Sequence, residues 1–341
     1  MTPKELKEEL ELVMSNHIQD SLLILGESGI GKSCIVRQVA EKFDHEVTDV
    51  RWGQMAPADV RGVPVPNHET KVTEFYPPAF WPRRGPGLIF LDEFNMATPA
   101  MMGLGQQLLL DRCFGDYRVP EGVLVWAAGN RKIDAAAVNQ VPGPVQNRVA
   151  HYEVEHDLWA WKVWAFASGI SPSILGFLDH RSELLHKPSR ESMAWPSPRT
   201  WTMADVRLKA KMSIAPVVGQ DVCDEFDAYM LLRESMPNVD LIEKGAGQHV
   251  PFPEEPSVKY ALVAEMVARS IQSWQQYANC VRWTIAKATK EPEWVSVLVQ
   301  DAMRLLAAND RPKQRQYLAN LANFPDIRRF VADQVAAGGL V

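Results

Sequence analysis

The sequence lacks a basic excess and long apolar runs, and each absence excludes a class of protein. Its 36 Lys and Arg stand against 42 Asp and Glu, a formal net charge of −6. Proteins that bind nucleic acid normally carry a basic excess to meet the phosphates, so nucleic acid is disfavoured as a partner. No apolar run approaches the ~20 residues of a membrane span. The charged first residues hold no apolar signal segment, so we expect a cytoplasmic protein.

The Cys and His spacings typical of zinc sites and of disulfide frameworks are also missing. Cys34, Cys113, Cys223 and Cys280 lie far apart with no CxxC spacing, which indicates neither a zinc site nor a set of disulfides. The 8 histidines include no HExxH arrangement. A chain of 341 residues that is 46% hydrophobic can bury a core without such cross-links. At about 150 residues per domain, this length favours two domains.

Five apolar runs alternate with helical or loop-rich segments in the first half of the chain. The runs are SLLILG, EVTDVRW, GLIFLDEF, GVLVWAAGN and VAHYEVE. This alternation predicts a parallel five-stranded sheet covered on both faces, an α/β fold.

The second half is helical, with apolar residues at helical spacing. We therefore expect an α/β domain over residues 1–155, a helical domain over 156–244 and further helices over 257–341. The Gly- and Pro-rich connector Gly245–Pro256 separates the last two.

The strongest chemical signal is GESGIGKS, residues Gly26–Ser33, which fits G-x-x-x-x-G-K-[ST] between a predicted strand and a predicted helix. Glycines let such a loop wrap phosphates, and the N–H groups and helix N-terminus meet their charge. We expect Lys32 to neutralise the β- and γ-phosphates of ATP and Ser33 to ligate Mg²⁺. The candidate nucleotide-binding residues are Gly26, Glu27, Ser28, Gly29, Ile30, Gly31, Lys32, Ser33, Cys34 and Asp92.

Two further apolar runs end in polar residues at the carboxyl ends of predicted strands, where open α/β sheets bind ligands. LIFLDEFN ends with Asp92, expected to hold Mg²⁺ through water, and Glu93, expected to orient and activate the attacking water. GVLVWAAGN ends with Asn130, a neutral amide that can bond both that water and the γ-phosphate. The pattern predicts hydrolysis of ATP.

With GESGIGKS, LIFLDEFN and AAGNR in this order, the chain resembles the AAA+ ATPases. More narrowly, residues 20–210 resemble the MoxR branch, near the CbbQ-type and dynein-related ATPases. The resemblance implies a P-loop core followed by a helical lid, in a homo-oligomer that forms a hexameric ring. It also implies a remodeller or chaperone that acts on a protein partner with a von Willebrand factor A domain.

Other segments support this narrower placement. Ala56–Pro82 is similar to the helix-2 insert of that branch, a hairpin that points toward the pore, with its tip near Asn67–Thr70. CFGDYRVPEGVLVWAAGN is similar to the hairpin that precedes the first sensor strand. PVQNRVAHYEV is similar to the segment whose arginine reaches the neighbouring subunit's nucleotide, which implies Arg148 as the finger. SPRTWTMAD is similar to the second sensor of the lid, which implies Arg199.

Alternatives remain open for these assignments. Arg148 can be an ordinary surface residue, and Arg131 can supply the finger instead. Arg199 can simply cap a helix, and the tip at Asn67–Thr70 can be an inert turn. For the whole chain, the alternatives are a nucleotide-gated interaction module and a nucleic-acid-directed motor similar to the McrB branch.

Overall fold

Each of the five apolar runs forms a strand. The computed structural model describes residues 1–131, 138–189, 191–233 and 235–336. The chain divides into a first unit, Met1–Asp157, and a second unit that begins at Leu158; the three domain boundaries drawn from the sequence stay predictions. The strands of the first unit are β1 (Leu22–Gly26), β2 (Glu46–Arg51), β3 (Val63–Asn67), β4 (Val72–Tyr76), β5 (Gly87–Asp92), β6 (Cys113–Phe114), β7 (Tyr117–Arg118), β8 (Val123–Gly129) and β9 (Ala150–Val154).

The main sheet has the strand order β2-β5-β8-β1-β9, and every pair in it is parallel. All residues of β5 and β8 are buried, which explains why these strands read as continuous apolar runs rather than as alternating patterns. The predicted fold class, an α/β core with a parallel five-stranded sheet followed by helices, is confirmed. Since parallel strands end at one edge, the residues after β1, β5 and β8 come together there.

Helices cover both faces of this sheet. On one face, Leu6 of the first helix and Val36 of the second pack with strand residues such as Phe90. On the other face, Leu104 and Leu108 of the fourth helix pack with the alternate strand residues. The helices of the first unit are α1 (Pro3–Ser15), α2 (Lys32–Lys42), α3 (Pro57–Arg61), α4 (Pro99–Asp111) and α5 (Gly143–Gln146).

The hairpin expected within Ala56–Pro82 is present, formed by the antiparallel strands β3 and β4. Its turn is held by Asn67, whose Oδ1 accepts hydrogen bonds from the amides of Glu69 (3.0 Å) and Thr70 (3.2 Å). A second short hairpin, β6–β7, precedes β8 as expected. The two hairpins are joined where the amide of Phe75 donates to Asp116 Oδ2 at 3.0 Å.

In its described residues, the second unit is helical. Helices α6 to α10 and helices α11 to α15 contribute to two adjoining apolar clusters. Among the described residues, every helix is too short or too polar to span a membrane. The helices are α6 (Leu158–Ala167), α7 (Pro172–His180), α8 (Pro198–Lys209), α9 (Ala215–Val218), α10 (Gln220–Arg233), α11 (Val239–Glu243), α12 (Pro256–Ser270), α13 (Trp274–Lys287), α14 (Glu293–Asn309), α15 (Arg311–Ala322) and α16 (Pro325–Ala336).

A buried ionic cluster joins three helices of this unit. The Lys162 ammonium on α6 donates to both carboxylate oxygens of Asp179 on α7, at 2.6 and 2.7 Å, and to Asp301 Oδ2 on α14 at 3.3 Å. Burial raises the pKa of Asp179 to about 6. It also raises the pKa of Asp301 above its ordinary value. In both carboxyl groups, desolvation outweighs the attraction of Lys162.

Candidate nucleotide site

The Gly26–Ser33 loop joins β1 to α2, and its backbone is shaped for an anion. Gly29 and Gly31 have φ values of 83° and 99°, which a residue with a side chain rarely adopts. A Cβ on Gly31 would have nothing within 4 Å, so the loop is open there. No side chain caps the N-terminus of α2, which leaves its first N–H groups for a ligand. These features fit a phosphate group.

Two residues anchor this loop to the core beneath it. Ile30 is buried among the residues that α1 and α2 pack against the sheet. A Cβ on Gly26 would come within 2.4 Å of the carbonyl oxygen of Val154 on β9, so only glycine fits there. The more exposed loop residues are Ser28 and, on the first turn of α2, Cys34. The loop therefore has a fixed base and an open upper side.

Lys32 connects the loop to the end of β8. Its ammonium group donates to the carbonyl oxygens of Gly26 and Glu27, both at 2.7 Å, and to Asn130 Oδ1 at 3.3 Å. Only 8% of the residue is exposed. A buried ammonium costs free energy unless it is well hydrogen-bonded, so these acceptors fix its position. The cation lies at the open loop, where it can neutralise phosphate charge.

Ser33 and Asp92 meet at the carboxyl edge of the sheet. The Ser33 hydroxyl donates to Asp92 Oδ2 at 2.7 Å. Asp92 is 7% exposed, and its Oδ2 also lies 3.5 Å from Nη1 of Arg51. Mg²⁺ in proteins is usually bound by only one or two protein oxygen ligands together with substrate phosphates. A hydroxyl and a carboxylate next to a loop shaped for phosphate provide such ligands. The two residues therefore fit the metal predicted from the sequence.

Glu93 has a left-handed backbone, with φ 58° and ψ 34°. Its amide donates to Asp92 Oδ1 at 2.9 Å, and its carboxylate lies 3.3 Å from Nε2 of Gln54 and 3.8 Å from Nη1 of Arg51. Residues other than glycine take positive φ at a cost, and such positions concentrate at functional sites. Glu93 thus combines an uncommon backbone conformation with a partly exposed carboxylate, and it directly follows Asp92, the candidate Mg²⁺ ligand.

Asn130 is fixed by a neighbour that the sequence did not identify. Asn95 donates through Nδ2 to the carbonyl oxygen of Asn130 at 2.7 Å and accepts from its amide through Oδ1 at 3.1 Å. Gly129 makes this pairing possible, because a Cβ there would lie 2.3 Å from Asn95 Oδ1. The backbone of Asn130 is held from one side, and its side-chain oxygen accepts from Lys32.

The two finger candidates of the first unit differ in environment. Arg148 follows α5, is exposed, and makes no side-chain hydrogen bond or ion pair with any described residue. Arg131 is 15% exposed and pairs within its own chain: Nη2 lies 3.6 Å from Glu27 Oε1, and Nη1 lies 3.0 Å from Glu155 Oε1. Lys32, Ser33, Asp92, Glu93 and Asn130 form one site, and Arg148 lies outside its hydrogen-bond network.

Arg199 is the second residue of α8, in the second unit, and its side chain is exposed. Ser197 caps this helix: its hydroxyl accepts from the amide of Thr200 at 3.2 Å, and Thr200 reaches back to the amide of Ser197 at 2.7 Å. The interpretation of Arg199 as the cap is therefore wrong. A cation in a first helical turn interacts unfavourably with the helix dipole, so local stability does not explain this arginine.

No protein-family model matches the sequence, and no curated protein matches it either. Solved structures resemble the fold weakly. NtrX from Brucella abortus in complex with ADP is 14% identical, with 86% of this chain and 68% of NtrX covered at a TM-score of 0.40. The Thermotoga maritima RuvB Holliday junction branch migration motor is 17% identical, with 77% of this chain and 80% of RuvB covered at a TM-score of 0.35. Likenesses this weak do not indicate a shared function.

Proposed function

We propose that this chain is a Mg²⁺-dependent ATPase of the AAA+ class. The observation that carries the proposal is the meeting of three distant segments at one edge of the sheet. Ser33 lies 2.7 Å from Asp92, and Lys32 lies 3.3 Å from Asn130. The phosphate loop, the end of β5 and the end of β8 thereby bring together a cation, two oxygen-bearing side chains and a neutral amide, the set of groups that hydrolysis of a triphosphate uses.

Each residue of the site has a distinct task in hydrolysis. Lys32 and the loop amides bind the phosphates. Ser33 and Asp92 would hold Mg²⁺, which would supply positive charge to neutralise the phosphates. Glu93 accepts a proton from the attacking water, while Asn130 orients that water against the γ-phosphate. Arg148 stabilises the transferring phosphoryl group in a neighbouring subunit. Arg199 contributes a second sensor.

The finer part of the proposal is a MoxR-type remodeller, a hexameric ring that acts on a protein with a von Willebrand factor A domain. The hairpin β3–β4 supports it, because Val63, Val72 and Tyr76 on this hairpin are exposed by 66%, 53% and 61%. Exposed apolar side chains grouped on one element are typical of protein-binding surfaces. Arg148 supports assembly, because it is exposed and has no partner among the described residues, and such an arginine can act on a neighbouring subunit.

Calorimetry of ATP binding tests the nucleotide site. Loss of one buried ammonium that meets phosphate corresponds to at least about 1.4 kcal/mol, so Lys32→Ala should weaken ATP binding by at least about tenfold. Lys42→Ala is the matched control, because Lys42 ends the same helix and pairs with Glu11 at the surface. Equal ATP affinity of Lys32→Ala and the wild type would contradict the proposal.

A further inference from the structure

The second residue of the phosphate loop, Glu27, belongs to a group of polar side chains to which the proposed hydrolysis assigns no direct chemical step. Its Oε2 lies 2.7 Å from Nδ1 of His156, and its Oε1 lies 3.6 Å from Nη2 of Arg131. The side chains of Glu27 and Arg131 are only 17% and 15% exposed. We call Glu27, Arg131 and His156 the Glu27 cluster.

The strand order explains why these residues meet. Strands β8 and β9 lie on either side of β1, with Leu25 opposite Gly129 and Gly26 opposite Val154. Glu27 comes two residues after Leu25, and Arg131 comes two residues after Gly129. His156 follows the end of β9. The Glu27 cluster therefore joins the ends of three adjacent strands at the edge that holds the nucleotide site.

Glu27 and Arg131 are also part of a closed circuit of contacts around Lys32. The Lys32 ammonium donates to the carbonyl oxygen of Glu27 and to Asn130 Oδ1. Arg131 follows Asn130 directly in the chain, and its guanidinium pairs with the carboxylate of Glu27, which closes the circuit. Asn95 and Glu155 also hold Asn130 and Arg131. Loss of the Glu27–Arg131 pair would therefore open this circuit and loosen the side of Asn130 that faces Lys32.

We infer that Glu27 and Arg131 are positioning residues, which hold Asn130 against Lys32 in the geometry that hydrolysis needs. This inference rests on the proposed ATPase function. The pair acts through Asn130 rather than on the phosphates, so it affects the rate of hydrolysis more than the affinity for ATP. This inference assigns Arg131 to the loop of its own subunit, which leaves Arg148 as the arginine proposed to reach a neighbour's nucleotide.

A double-mutant cycle tests this coupling. Glu27→Gln and Arg131→Gln should each lower kcat about tenfold and change the ATP dissociation constant by less than about threefold. Because both open the same circuit, the double variant should be no slower than either single variant. Arg131→Lys retains the charge and should keep more of the wild-type kcat than Arg131→Gln. The pair Glu11 and Lys42, at 2.7 Å, supplies the control cycle, with no change in kcat.

Two results would overturn the inference. Additive losses in the double variant would show that the two residues act independently. A loss of about a thousandfold or more in Arg131→Gln alone, with Glu27→Gln near the wild type, would place Arg131 on the phosphate itself.

Amide hydrogen exchange without nucleotide separates this inference from the ATPase proposal. Both single variants should exchange faster than the wild type at the amides of Gly26–Ser33 and Asn130, because the circuit is open in both. Unchanged exchange in both variants would contradict the positioning role even in an active enzyme. Absence of ATP hydrolysis in the wild type would instead contradict the proposed function.

Discussion

The hydroxyl of Ser33 donates a 2.7 Å hydrogen bond to Oδ2 of Asp92, across a separation of 59 residues. This bond brings the first turn of α2 to the end of β5. Both residues carry oxygen atoms that suit Mg²⁺, and they lie beside a loop whose open backbone suits phosphate. In the proposed ATPase, this pair would link the binding of nucleotide to the binding of metal.

The first prediction concerns this linkage. Ser33→Ala should bind ATP in the presence of a chelator about as well as the wild type, but should lose most of the affinity that Mg²⁺ adds. Ser33→Thr keeps the hydroxyl and is the matched control. Titrations of ATP with and without Mg²⁺ measure the effect. An undiminished Mg²⁺ effect in Ser33→Ala would remove the hydroxyl from the metal site.

Much of this site is predictable from the sequence, because its residues directly follow buried strands. LIFL and VLVWAAG are continuous apolar runs, so they identify central parallel strands, and parallel strands end at one edge. The positions of Asp92, Glu93 and Asn130 follow from that rule alone. The glycines and Lys32 of the loop follow from a motif with a known physical basis.

The partners of these residues are not predictable in the same way. Arg51 reaches Asp92 and Glu93 because β2 lies beside β5 with Arg51 opposite Asp92, a register that chain order does not reveal. Asn95 holds Asn130 through a turn after β5 whose shape depends on Glu93 at positive φ. The pairing of Glu27 with Arg131 requires that β1 lie next to β8. Such contacts depend on strand order and turn geometry, which local sequence patterns do not specify.

The second prediction concerns the buried cluster of Lys162, Asp179 and Asp301. Lys162→Met leaves two buried carboxylates without their cation, which should destabilise the protein by ~3–5 kcal/mol. Urea unfolding measures this loss. Lys209→Met is the control, because Lys209 pairs with Asp205 at 2.6 Å while its own side chain is 55% exposed. A similar loss in the free energy of unfolding for Lys162→Met and Lys209→Met would show that the buried cluster stabilises the protein no more than the ion pair of Lys209.

The same cluster gives the third prediction, a dependence of stability on pH. The pKa of Asp179 is about 6 in the folded protein, above the ordinary value of 3.8. The folded state therefore binds this proton more tightly than the unfolded state, and the stability that it contributes is lost as the pH rises from about 4 to about 6. Hydrogen exchange of α7 amides, corrected for intrinsic rates, should show falling protection over this range. In Asp179→Asn, the protection of these amides should fall less over the same range. An identical fall in protection would contradict the assignment of this pH dependence to Asp179.

The fourth prediction is that the turn of the β3–β4 hairpin can be weakened without an effect on ATP hydrolysis. Asn67→Ala removes the oxygen that accepts from the amides of Glu69 and Thr70. At a net ~1 kcal/mol for a hydrogen bond, these amides should exchange about fivefold faster, while basal ATP hydrolysis stays unchanged. Asn67→Asp keeps the acceptor oxygen but loses the Nδ2 donor to Glu74 Oε1, so it should retain more of the protection than Asn67→Ala. A parallel loss of ATP hydrolysis in Asn67→Ala would show that the turn supports the folding of the ATPase unit.

The fifth prediction, activity of Arg148 in a neighbouring subunit, is tested by mixing variants. Arg148→Ala should bind ATP normally and hydrolyse it ~10³–10⁵ times more slowly, the range for arginine fingers. Lys32→Ala should also be nearly inactive. In a mixed oligomer, some interfaces pair an intact phosphate loop with a neighbour's intact Arg148, so activity should return. Absence of recovery in verified mixed oligomers would exclude action across the interface.

Single-turnover hydrolysis by Glu93→Gln tests most directly whether this site splits ATP. The substitution keeps the size of the side chain and removes the base, so ATP should bind with wild-type affinity in the presence of Mg²⁺ and turn over at least about a hundredfold more slowly. Gln54→Ala is the neighbouring control, because it removes only a 3.3 Å contact to the same carboxylate. A Glu93→Gln rate equal to that of the wild type would show that Glu93 is not the base and that hydrolysis does not proceed by the chemistry proposed for this site.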